Sequence, residues 1–372
     1  MSIAQVAPLY ESVPPKSYGG TERVVSYLTE ELVAQGHDVT LFASGDSVTN
    51  ARLVASSPDA LRSAQYVSDP LAYHFVQLEQ VFAQSESFDV IHFHNDYLHY
   101  PLSRRHNTPH LTTLHGRLDM PELAQLYEIF ADVPIVSISN AQRKPLSWAN
   151  WQRTVYHGLP TDLYTARQEQ GSYLAFLGRI CPEKRLDRAI QIAQQFGMTL
   201  KVAAKVDAAD RHYYGEVIEP LLDEISVEFI GEVNEDGKQE FLSNAYALLL
   251  PIDWPEPFGL VIIEAMACGT PVIAYPHGSI PELIENGVTG FIVENIDQAA
   301  QALQTVPNVD RRLCRQRFEE RFSAARMAQD YVELYQRLIH ASDVVPGAGT
   351  ESVRRAIHRP NVLNAAVRNG RA

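Results

Sequence analysis

Positive charge is scarce in this chain. Lys and Arg total 31 against 45 Asp and Glu, so the 372 residues carry a net charge of −14 and a pI near 5.4. A surface of that sign repels phosphate backbones, and no nucleic-acid partner is expected. Cysteine is scarcer still: Cys181, Cys268 and Cys314, with no CxxC and no Cys/His spacing. Three scattered thiols make neither a disulfide framework nor a zinc site, and they read as reduced, buried side chains of a cytoplasmic protein. The start, MSIAQVAPLYESVPPKSYGG, lacks the basic region and long apolar stretch of a signal peptide. No apolar run reaches the roughly 18 residues that a transmembrane helix needs. A GxGxxG fingerprint is also missing, which argues against a dinucleotide oxidoreductase.

What is present is alternation. Short apolar runs of β type, Ile3–Pro8, 38–44, 88–94, 110–116, 134–139 and 153–158, are separated by stretches of helical periodicity such as Val24, Val25, Leu28 and Leu32. The polar stretch 159–172 breaks the pattern. It restarts at 173–179 and continues through 199–205, 227–232, 246–251, 270–275 and 290–294, with Leu186, Ala189, Ile190 and Ala193 as one helix face. Strand-loop-helix units of this kind build α/β parallel sheets, so two doubly wound, Rossmann-like domains facing across a cleft are expected. The bounds are residues 1–165, 166–321, a final helix over 322–340, and a disordered tail over 341–372. That tail has five Arg against two acids, which would allow peripheral contact with the inner face of an anionic membrane.

The segment DWPEPFGLVIIEAMACGTPVIA holds Glu256 in a proline-rich turn and Glu264 inside an otherwise apolar helix. A helix apolar on every side is buried, and a carboxylate there needs a polar partner. Either Glu264 forms a salt bridge to a Lys or Arg, or it accepts hydrogen bonds from ligand hydroxyls. Glu256 precedes the helix start, where free amides and the helix dipole favour an anion. An anion site between two hydroxyl acceptors suits a nucleotide sugar. In FLGRICPEKRLDRAI, Arg179 ends a strand and Lys184 opens the next helix, two cations that either grip phosphate or are solvated surface charges. Gly19-Gly20 at the first strand-to-helix turn would let backbone approach a phosphate. His115 in TLHG ends a strand at the cleft. His92 and His94 share a strand face, and structural histidines are a better account of them than metal ligands.

Together, EPFGLVIIEAMACGTPVIA, GRICPEKRLDRAI, YGGTERVVSYLTEELVAQGHDVTLFAS and VSISNAQR resemble the retaining glycosyltransferases of family 4, with the GT-B fold, over about residues 2–340. The resemblance implies that Glu256 contacts the donor sugar and Glu264 the nucleotide ribose. It assigns the diphosphate to Arg179, Lys184 and the amides of Phe258, Gly259 and Leu260, places Gly19 and Gly20 by the phosphates, and sets His115 against the sugar ring. Members need no metal or other cofactor. The acceptor would be a sugar, polyol or glycolipid, and the donor UDP-glucose before GDP-mannose or UDP-galactose. Glycine usually follows the Glu-Lys pair, where this chain has Arg185. Lys205 and His157 also stand where the family pattern is altered, each a further candidate for ligand contact. A non-catalytic nucleotide-sugar-binding protein, a nucleotide-sugar epimerase and a sugar phosphorylase are the competing readings.

Overall fold

The structure is a computed structural model that describes residues 1–344 apart from 17–18, 63, 65 and 223–226. The expected disordered tail therefore lies, from residue 345 on, outside the described residues. Seven parallel strands form the first sheet: β1 (Ser2–Val6), β2 (Asp38–Ser44), β3 (Arg52–Ser57), β4 (Val90–Phe93), β5 (His110–Thr113), β6 (Ile135–Ser137) and β7 (Trp151–Thr154). Their order is β3-β2-β1-β4-β5-β6-β7. Six more make the second sheet: β8 (Tyr173–Arg179), β9 (Leu200–Lys205), β10 (Val227–Gly231), β11 (Ala245–Leu250), β12 (Val272–Ala274) and β13 (Gly290–Ile292). Their order, β10-β9-β8-β11-β12-β13, repeats the doubly wound plan of the first sheet. Strand β11, beside the centre of the second sheet, is buried along all its residues, which is why it reads as an unbroken apolar run.

Strand order reverses between β1 and β4 in one sheet and between β8 and β11 in the other. In such sheets the crevice beyond the carboxyl ends of the strands at that switch point is where ligands bind. Arg179 ends β8 and Lys184 follows it, and Glu256 follows β11, so the switch point of the second sheet brings these distant segments together.

The two sheets are joined by chain crossings that run side by side. Leu159 donates its amide to the Phe322 carbonyl (2.9 Å) and accepts from the Ala324 amide (2.8 Å). A Cβ on Gly158 would lie 2.2 Å from the Ser323 oxygen, so only glycine allows the crossings this close. The final helix, Ala324–Val344, returns to the first sheet, where Met327, Tyr331 and Tyr335 pack with Ile3, Val90 and Leu111. No helix among the described residues is long and apolar enough to cross a membrane.

Candidate active site

Glu256 is buried between Lys184 and Trp254. It pairs with the Lys184 ammonium, and Trp254 Nε1 donates to the same carboxylate at 3.0 Å. Lys184 also lies 5.1 Å above the Trp254 ring, so indole and carboxylate hold the cation from two sides. The loop carrying Glu256 is pinned from behind. Ser279 donates its amide to the Glu256 carbonyl (2.9 Å) and its hydroxyl to the Phe258 carbonyl (2.6 Å). Gly278 sits at φ +62, and a Cβ there would meet the Glu256 backbone at 2.2 Å. Close approach and left-handed backbone both demand glycine at that position.

Glu264 lies one turn into the helix Leu260–Ala267, which Gly259 opens at φ 90. It is 4 % exposed, and its partner is Lys238 at 2.8 Å. Lys238 is 3.5 Å from Glu235, which pairs with Arg23 and accepts from the Tyr164 hydroxyl. Arg23 belongs to the helix Gly20–Ala34 of the first sheet's layer. The chain Arg23–Glu235–Lys238–Glu264 therefore ties the two halves together. On the same seam, a Cβ on Gly20 would sit 3.5 Å from Leu260. Gly19, the N-cap, is extended rather than left-handed and packs on Pro15 and Glu11. The amides of Phe258, Gly259 and Leu260 precede or open a helix, where backbone N–H groups lack intrahelical acceptors.

The other cations are engaged too. Arg179 faces Asp207 at 3.5 Å and Asp210 at 3.9 Å, and Lys205 shares Asp207 at 3.2 Å. Arg185 reaches Asp187 (2.7 Å) and Asp253 (2.9 Å), which takes its guanidinium along the loop as a structural charge. Its backbone is left-handed, φ 53, and this explains why glycine suits that position. Arg185→Gly is expected to stay within about 1 kcal/mol of the parent in thermal unfolding, relief of strain offsetting the lost surface pairs. A larger loss would show that the pairs to Asp187 and Asp253 hold the loop.

His115 lies two residues beyond β5, against a group of buried rings. Its Nε2 is 2.9 Å from His94 Nδ1, and its ring stacks on His157 at 5.3 Å. His157 packs edge-on against Phe258 at 4.7 Å, so it reaches the seam and does more than end a strand. Burial lowers the His115 pKa to about 3, and the ring is neutral at any ordinary pH. His92 bonds the Tyr335 hydroxyl and Thr113 Oγ1, both at 2.7 Å. Ring nitrogens of His92 and His94 are thus committed within the protein, the structural account given above. Among the described residues no group of three His, Cys, Asp or Glu is arranged to hold a metal ion.

Between the halves, Arg117, Leu118 and Gln142 face Pro255, Glu256 and Gly278 across a cleft of about 30 Å³. The sequence reading missed Lys238, Glu235 and Arg23. Burial of Glu264 signalled that a cation was needed, but its identity depends on how the helix Glu235–Ser243 packs.

Two doubly wound parallel sheets, facing across a cleft lined by paired cations and carboxylates, define a GT-B glycosyltransferase. Residues 18–159 match the model described as Glycosyltransferase Family 4, and residues 165–315 the model described as Glycosyl transferases group 1. The chain belongs to glycosyltransferase family 4 and is an enzyme of transferase type. It is similar to alpha-maltose-1-phosphate synthase of Mycolicibacterium smegmatis, 24 % identical over 394 residues that cover 90 % of this chain and 99 % of the relative. Among solved structures, sucrose-phosphate synthase from Thermosynechococcus elongatus superposes with a TM-score of 0.76 at 19 % identity, covering 92 % of this chain and all of that one. HepE of Anabaena, solved in complex with UDP and glucose, gives 0.69 at 18 % identity, with 90 % and 99 % covered. Coverage this complete extends the likeness to both sheets and the final helix.

Proposed function

We propose that this cytoplasmic enzyme is a retaining, metal-independent hexosyltransferase. It moves the sugar of a nucleoside diphosphate donor, UDP-glucose first, to a hydroxyl of a sugar, polyol or glycolipid. The observation that carries the reading is the meeting of Lys184 and Glu256 at the β8/β11 switch point. A cation for phosphate and a carboxylate for hydroxyls stand there side by side. The complex of HepE with UDP and glucose supports that choice of donor.

In this reading the anomeric C–O bond to the diphosphate breaks, leaving an oxocarbenium-like sugar. Arg179, Lys184 and the amides of Phe258, Gly259 and Leu260 stabilise the growing negative charge. The acceptor oxygen bonds the anomeric carbon on the face the diphosphate leaves, and its proton passes to the departing phosphate oxygen. Glu256 and Glu264 hold sugar and ribose hydroxyls, Gly19 and Gly20 approach the phosphates, and His115 meets the sugar ring. In this reading donor binding exchanges the ion pairs Lys184–Glu256 and Lys238–Glu264 for contacts to the ligand. Each pair keeps a buried charge from standing alone until that exchange.

Thermal unfolding with UDP, GDP, ADP and their glucose, galactose and mannose conjugates, without divalent metal, tests the reading. Ligand at about a hundred times its Kd is expected to stabilise by about 2.7 kcal/mol. A shift confined to one base identifies the nucleotide. Absence of any shift would sink the donor-site assignment.

A further inference from the structure

The buried polar groups that run from Tyr335 to His115 have a direction. Gln5, the penultimate residue of β1, donates through Nε2 to the Tyr335 hydroxyl at 3.0 Å. Its Oε1, which accepts only, then faces His94 Nε2 at 2.9 Å, so His94 carries its proton on Nε2. The His94 ring is enclosed, and burial with three neighbouring histidines keeps it neutral. Its Nδ1 is therefore a lone pair. That lone pair faces His115 Nε2 at 2.9 Å, which must bear the proton of the second ring. His115 is neutral as well, so its Nδ1 is a bare acceptor, and among the described residues this buried atom has no partner.

The other arm of the chain agrees with this polarity. Tyr335 accepts from Gln5 and donates to His92 Nδ1, and His92 Nε2–H donates to Thr113 Oγ1, both at 2.7 Å. Turning the Gln5 amide over would reverse these protons and leave His115 with an orphaned N–H. Buried N–H groups without an acceptor are rarer in proteins than acceptors without a donor. A buried orphan still needs an explanation, and a ligand hydroxyl supplies one.

We propose that Gln5 and His94 are positioning residues that hold His115 as its Nε2–H tautomer, so that it receives a donor-sugar hydroxyl through Nδ1. This rests on the reading of His115 as a residue of the sugar site. His115 then selects for a hydroxyl and does not hydrogen-bond phosphate through that nitrogen. The seat of the final helix, through Tyr335, takes part in setting that polarity.

Long-range proton–nitrogen correlation spectra of the full chain, labelled with nitrogen-15 at histidine, read the tautomer directly. The expected pattern for His115 is a pyrrole-type Nε2 and a pyridine-type Nδ1. The reverse pattern, or a cationic ring at neutral pH, overturns the proposal whatever the variants do. Gln5→Met removes both hydrogen bonds at similar volume. It is expected to mix the tautomers and lower kcat about tenfold or more with donor KM little changed, since second partners of an imidazole set its tautomer and aim. A Gln5→Met protein with an unchanged His115 spectrum and unchanged kcat also overturns it. His115→Ala separates the two levels. If that variant is inactive while Gln5→Met is fully active, only the positioning role falls. Should His115→Ala keep full activity, the sugar-site reading of His115 falls, and the role proposed for Gln5 and His94 falls with it.

Discussion

Lys184→Ala is expected to lower kcat by about 10²-fold or more, because the lysine is assigned to the charge that grows on the leaving diphosphate. Its place makes the loss hard to repair. Lys184 ends the short turn Pro182–Lys184 just beyond β8, and it is held between the Glu256 carboxylate and the Trp254 ring. Asp253, next to that ring, donates its amide to the Glu183 carbonyl at 2.8 Å, which locks the two loops together. Of the other cations nearby, Arg179 already has a share of that charge in the proposed reading and faces Asp207 and Asp210, and Arg185 is paired with Asp187 and Asp253. None of them replaces Lys184 without leaving a carboxylate of its own. Among the described residues, alanine also leaves Glu256 with Trp254 Nε1 as its remaining side-chain donor. Steady-state kinetics separate the two effects. A fall in kcat with donor KM nearly constant marks an interaction made in the transition state. A rise in KM alone would mean that Lys184 holds the ground-state phosphate and does no more. Unchanged kinetics would remove it from the site.

Much of this was legible in the sequence, and for physical reasons. Strands β2 and β8 match the sequence reading residue for residue, since buried parallel strands are mostly apolar runs between turn signals. Strand β3 was not read. Its sequence RLVASS is half polar, and it lies at the sheet edge, where burial does not impose a pattern. Glu256 and Glu264 stood out because charges among Pro, Gly and apolar neighbours contradict their surroundings, and Lys184 because it starts a helix just after a strand that ends in Arg179. Lys238 and Gln5 did not stand out. Lys238 sits in a charged helix whose sequence explains it as solvated, and Gln5 is one polar residue in a strand. Their roles come from partners 26 and 330 residues away, a matter of packing that no local pattern encodes.

Glu264→Gln is expected to weaken nucleotide binding by roughly 10- to 100-fold, the worth of a hydrogen bond to a charged acceptor. Turnover at low donor concentration should fall by about 10²-fold, combining that loss with poorer placement of the sugar. Two roles compete for this carboxylate. The structure shows it paired with Lys238, and a buried pair broken on one side costs stability. That cost is moderated here because Lys238 keeps Glu235 at 3.5 Å and is partly exposed. A glutamine can also still accept from the lysine with its amide oxygen. Melting temperature and nucleotide affinity therefore move apart under the two roles. If Glu264 serves the ribose, affinity falls while the melting temperature stays close to that of the parent. If it exists to neutralise Lys238, the melting temperature falls and nucleotide affinity holds. Lys238→Met, measured alongside, supplies the opposite half of the pair. Should it lower affinity as Glu264→Gln does, the lysine is what holds the carboxylate toward the ligand, and the chain through Glu235 to Arg23 becomes the route by which donor binding senses the first sheet.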